Sequence, residues 1–147
     1  MAAPGQTARS RDPPQGDEEA STELKLGEFQ DVITLTHSEA YTVINAMMQK
    51  RREGRKALND TDIYQKTMDY LDHFARFKNQ ENIEAVERLL DTHKSWMAKF
   101  ERAQLGSLCC DSAEEAKTLI PSLTDKISDE DLQEILDEIT KLMGYGS

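Results

Sequence analysis

Cysteine is scarce in this chain of 147 residues, and the two present, Cys109 and Cys110, are neighbours. Adjacent cysteines close no loop, so no disulfide framework holds the fold, and a reducing compartment is the simpler setting. They end an apolar helical stretch, which suits small buried packing residues. No apolar run approaches the ~18 residues of a membrane-spanning helix, and the N-terminus lacks the apolar heart of a secretory signal. Aromatics are few, at 6%, and none is interleaved with the one basic run, so a stacking platform for single strands is not supported. A glycine-rich phosphate loop is missing too, because Gly54 and Gly106 stand isolated and neither opens a strand-to-helix turn. His37, His73 and His93 lie far apart with no ligand-spaced Cys or His, so no metal and no cofactor is expected. With no converging nucleophile, base or metal set, no catalytic residue is expected, and the chain does not read as an enzyme.

What is present is charge. The formal net charge is −10, a surface that repels phosphate and argues against general nucleic-acid binding. The charge is uneven. Residues 38–60 carry Lys50, Arg51, Arg52, Arg55 and Lys56 against Glu39, Glu53 and Asp60, whereas residues 128–147 carry six carboxylates against Lys141. The basic run suits a nuclear import signal or a phosphate contact. It suits better a solvated helix end, where cations are favoured by the macrodipole. The C-terminal carboxylates read as a solvated helix face. Hydrophobic residues make up only 37%, so the core is lean, and some apolar surface is available for completion by another protein.

The pattern along the chain predicts a mostly α protein with a short extended N-terminal segment. Residues 1–20 hold three of the four prolines and no apolar period, and read as a disordered tail. In 21–36, Leu24 and Leu26 alternate with polar neighbours, Gly27 breaks the run, and Val32 to Thr36 are β-branched-rich. A lone short strand is unstable in water. This segment is therefore either an extended loop laid across helices or a strand added to a partner's sheet. From residue 37 the spacing turns helical. Thr36 and Glu39 fit a capping box for a first helix ending near Gly54. A second helix is predicted from about Asn59 or Asp60 to Phe77, with Ile63, Tyr64, Thr67, Met68, Leu71, Phe74 and Ala75 as its stripe. Asn79 caps a third. A fourth, apolar nearly all round, runs from about Ser95 to Ser107 as the centre of the C-terminal half, with Gly106 suited to a close backbone approach. Asp111 and Glu114 form a second box before a short helix ending at Ile120, ahead of Pro121. Ser128 and Asp131 cap the last, which Gly144 ends.

Three stretches then carry a resemblance. Lys99-Phe100-Glu101-Arg102-Ala103-Gln104-Leu105-Gly106-Ser107-Leu108-Cys109 is followed by Ala113-Glu114-Glu115-Ala116-Lys117-Thr118-Leu119-Ile120-Pro121-Ser122-Leu123. Asp129-Glu130-Asp131-Leu132-Gln133-Glu134-Ile135-Leu136-Asp137 closes the series. In this order they resemble the fourth-largest, stalk, subunit of eukaryotic RNA polymerase II, which has a counterpart in archaeal RNA polymerase. Phe74 to Lys78, Leu24 to Leu26 and Glu28-Phe29 match as well, and the likeness spans roughly residues 22–143.

The resemblance implies a helical bundle like the HRDC domain at the C-terminus of RecQ helicases and RNase D. It divides the chain into a tail (1–20), a partner-docking segment and helix (21–58) and the bundle (59–147). It implies a non-catalytic subunit paired with the seventh subunit, an OB-fold protein, in a stalk near the RNA exit path and clamp. There it supports initiation and couples transcription to mRNA processing, export and decay. RNA would be touched mainly through the partner, core polymerase subunits through the stalk, and no membrane is involved. A nuclear location is implied, with cytoplasmic shuttling left open. Leu24, Leu26, Phe29, Val32 and Leu35, with Val43, Ile44 and Met47, are the expected partner interface, because this apolar set precedes the bundle and lacks local mates. The alternatives are the equivalent subunit of RNA polymerase III and a freestanding helical nucleic-acid-binding module.

Overall fold

The computed structural model describes residues 16–54 and 61–144. At its start, β1 (Glu19–Ala20) pairs antiparallel with β2 (Leu24–Lys25), Glu19 opposite Lys25 and Ala20 opposite Leu24. The extended segment thus finds a local mate, and Glu19 and Ala20 are ordered by it although they fall inside the stretch read as a tail. Residues 1–15 lie outside the described residues. Gly27 adopts a positive φ of 58° and opens a 3-10 turn over Gly27–Phe29. Residues 32–36 then run without a strand partner across the bundle. Thr34 Oγ1 donates to the Lys99 carbonyl at 2.8 Å, and Lys99 Nζ donates to the Asp31 carbonyl at 3.1 Å.

Six helices follow among the described residues: α1 (His37–Glu53), α2 (Asp62–Phe74), α3 (Gln80–Asp91), α4 (Lys99–Leu108), α5 (Ala113–Leu119) and α6 (Asp129–Gly144). Local chemistry sets several boundaries as expected. Thr36 Oγ1 accepts from Glu39 N–H while Glu39 accepts from Thr36 N–H, a complete capping box. Asn79 accepts from Glu81 N–H, and Ser128 accepts from Asp131 N–H.

Four boundaries differ from expectation. α2 starts at Asp62 rather than near Asn59 or Asp60, with Thr61 Oγ1 accepting from Tyr64 N–H at 3.2 Å. α2 stops at Phe74 rather than Phe77, because Ala75 turns extended and Phe77 enters the core. The Phe77 N–H there finds Ser38 Oγ at 3.1 Å instead of a helical carbonyl. α4 starts at Lys99 rather than Ser95. Residues 92–96 form turns, and Glu101 Oε1 accepts from Ala98 N–H at 2.8 Å. Ala98 has no side-chain acceptor, so this is only one half of a box. Ser112, one residue later than expected, caps α5 by accepting from Glu115 N–H. The preceding Asp111 N–H donates to Glu115.

The core lies among α3–α6. Leu105, Ala116, Leu123, Leu132, Leu136 and Ile139 are fully buried. α4 is central through Leu105 and Gly106, with Met97 buried just ahead of it, while Trp96 and Phe100 stay half-buried at the rim. Glu101 is buried as well. Its carboxylate accepts from Lys126 Nζ at 2.7 Å and from Ser122 Oγ, and so ties α4 to the turn before α6. Cys109 closes α4 in the left-handed region at φ 49°. Burial pushes its thiol up to about 12 and raises that of Cys110, so both remain protonated packing groups at neutral pH.

α1 and α2 form a hairpin beside this core. The His37 ring meets Tyr70 edge-on at 5.5 Å, and Met48 and Leu71 are buried. The predicted α2 stripe divides. Leu71 and Ala75 are buried and Tyr64 and Met68 half-buried, but Ile63, Thr67 and Phe74 are exposed. Three of the contacts that hold the hairpin to the bundle lie at the N-terminal end of α1. Thr36 Cγ2 lies where a Cβ on Gly106 would sit, at 2.6 Å. His37 N–H donates to Ser107 Oγ at 3.1 Å, and Ser38 Oγ takes the Phe77 N–H. The division expected at residue 58 falls in a stretch outside the described residues.

Candidate partner-docking face

The eight expected interface residues divide between the N-terminal segment and α1. Phe29, Val32 and Leu35 are exposed and Leu24 and Leu26 half-buried. The 3-10 turn and the extended run after it bring Leu26, Phe29 and Val32 together with Ile33, Thr34 and Phe100 around an open apolar groove of about 500 Å3. Three of these residues, Ile33, Thr34 and Phe100, lay outside the expected set. Ile33 is 79% exposed. Phe100 belongs to α4, and only the packing of residues 31–34 on Lys99 brings it to the groove.

On α1 the geometry separates residues that the sequence groups. Steps of 100° per residue place Thr36, Ala40, Val43 and Met47 along one side of the helix, and His37, Tyr41, Ile44 and Met48 along the next. The second side faces α2, through His37 and the buried Met48. Ile44 is accordingly half-buried there rather than standing free. The first side is pressed onto Gly106 at Thr36, at the N-terminal end of α1. Two turns further on it is bare, with Val43 47% and Met47 54% exposed. The apolar row therefore continues past the edge of the bundle. Lys50, Arg51 and Arg52 occupy the last turn of α1 in solvent, where the helix dipole favours cations. Arg55 and Lys56 lie outside the described residues.

Among the described residues, no group of three or more His, Cys, Asp or Glu is placed to hold a metal ion. No described helix is long and apolar enough to cross a membrane.

The family model described as RNA polymerase Rpb4 matches residues 34–143, from the extended run through α6. The chain belongs to the Rpb4 family. It is 50% identical over 130 residues to "DNA-directed RNA polymerase II subunit rpb4" of Schizosaccharomyces pombe, covering 87% of this chain and 94% of that protein. It is 52% identical over 107 residues to the RPB4 subunit of Saccharomyces cerevisiae, covering 73% of this chain and 45% of the relative. With "DNA-directed RNA polymerase II subunit 4" of Arabidopsis thaliana it shares 28% over 130 residues. The Rpb4 match includes Val43, Ile44 and Met47 of α1 and Leu35, and begins after Leu24, Leu26, Phe29 and Val32.

Proposed function

We propose that this chain is the non-catalytic stalk subunit of DNA-directed RNA polymerase II, working in the nucleus and pairing with the seventh, OB-fold subunit. The observation that carries the pairing is the bare apolar row of α1, continuous with the side that packs on Gly106, together with the apolar groove of the N-terminal segment. The relatives' names favour polymerase II over polymerase III. On this reading the stalk stands near the RNA exit path and clamp, supports initiation, and couples transcription to mRNA processing, export and decay. The OB-fold partner makes most of the contact with RNA.

Magnitudes indicate what the partner supplies. Phe29, Val32, Leu35, Val43 and Met47 are each roughly half exposed, so covering one contributes about 1 kcal/mol. Five give about 5 kcal/mol, at the low end of the ~4–15 kcal/mol that association costs. Main-chain pairing along the free edge of β2, together with apolar side chains seated in the groove, would provide the remainder.

The test is co-expression with the OB-fold subunit. Val43→Asp with Met47→Asp places two charges on the bare row without touching the α2 side. The pair should abolish co-purification and leave the helical circular dichroism of the chain unchanged. Recovery of the double variant with the partner at equal stoichiometry would place the interface elsewhere. Native mass spectrometry of complexes purified through the unsubstituted chain should return polymerase II subunits, with the OB-fold subunit in equal amount. Polymerase III subunits in their place would reassign the chain.

A further inference from the structure

A second groove, of about 460 Å3, lies on the bundle between the turn after α3 and the first half of α6. One wall is aromatic, Trp96 and His93, with the rings edge-on at 5.7 Å. The other is a row of carboxylates, Asp131, Glu134 and Glu138, brought to one side of α6 by their spacing of three and four residues. The groove shares no lining residue with the docking face and is independent of the stalk reading.

Among the described residues these carboxylates are without counterions. No cation there comes within ion-pairing distance of Asp131, Glu134 or Glu138, although Asp129 next to them is paired with Lys117 at 2.7 Å. Lys126 lines the same groove, yet its ammonium is committed to the buried Glu101. The row therefore keeps its full repulsion in the free protein, and like charges three and four apart on a helix oppose one another. A cation entering the groove relieves that repulsion and meets the Trp96 ring at the same time, the best side chain for cation–π contact. Arginine fits better than lysine, because its planar guanidinium stacks on an indole while forking to carboxylates.

We propose that this groove binds an arginine-bearing basic segment of a partner protein, with a guanidinium between Trp96 and the Glu134–Glu138 edge. Nucleic acid is disfavoured there by the same carboxylates.

Trp96 is the one tryptophan of the chain, so its fluorescence reports the groove directly. The full chain is titrated with an arginine-rich nonapeptide. A saturable change in Trp96 emission is expected, weakening as salt is raised. Glu134→Gln with Glu138→Gln should weaken binding by about tenfold, as loss of two partly desolvated charge pairs does. Glu81→Gln with Glu84→Gln removes equal charge from exposed positions on α3 and should change binding less than about twofold. Circular dichroism checks that both variants remain folded. An unmoved Trp96 signal, or equal losses in the two variants, would overturn the proposal. So would a stronger response to single-stranded RNA than to the peptide.

Discussion

Gly106 decides how closely α1 approaches the bundle. A glycine inside a helix costs about 1 kcal/mol against alanine, so on propensity alone Gly106→Ala would stabilise α4. Packing argues the other way. The added Cβ would meet Thr36 Cγ2 at 2.6 Å and Leu90 Cδ1 at 3.2 Å. Leu90 has rotatable bonds with which to yield, but Thr36 is fixed by its two capping bonds. Overpacking of this kind costs about 1–3 kcal/mol, enough to outweigh the propensity gain. Gly106→Ala is expected to lower the unfolding free energy, measured by urea denaturation, by a net of about 1 kcal/mol, and adding Thr36→Ser, which removes the methyl and keeps the hydroxyl, should restore much of it. A Gly106→Ala protein more stable than the parent would show that α1 is held by other contacts.

Elements whose boundaries rest on neighbours in sequence were legible from the chain alone. Thr36 with Glu39, Asn79 and Ser128 cap their helices within three residues, and all three starts are where the pattern puts them. Two of the boundaries that moved are set from a distance. α4 begins late because Glu101 is buried against Lys126 and Ser122, more than twenty residues away. α2 ends early because Ser38, on another helix, takes the Phe77 N–H. For the same reason the sequence could group Ile44 with Val43 but could not say that the first faces α2 and the second faces solvent. The importance of the α1 cap is testable at this scale. Thr36→Val preserves the methyl that packs on Gly106 and removes only the acceptor for Glu39 N–H. It should cost about 1 kcal/mol, measured by thermal or denaturant unfolding. No measurable loss would mean that tertiary packing alone fixes the start of α1.

On the scale of the whole molecule the chain is a bundle with a helical hairpin fastened to its side. The buried cluster runs from Phe77 to Ile139, and Met48 and Leu71 lie outside it. The hairpin meets the bundle near one end of α1, through the Thr36–Gly106 contact and two hydrogen bonds, to Ser107 and from Phe77, and Lys78 adds contacts to the Tyr41 ring and to Asp72. Opening free energy follows buried contact, so the two parts differ in local stability. In the chain alone, the amides of the second half of α1 and of α2 should exchange with deuterium at least about tenfold faster than those of α4 and α6. Binding of the OB-fold partner, on the proposed reading, covers Val43 and Met47 and the groove around Phe29. Protection should therefore rise in α1 and in residues 24–36 while that of α6 stays as it was. Uniform exchange across all six helices in the free chain would mean that the hairpin and bundle open as one unit. Partner-induced protection confined to α6 would place the docking surface on the opposite end of the chain from Val43 and Met47.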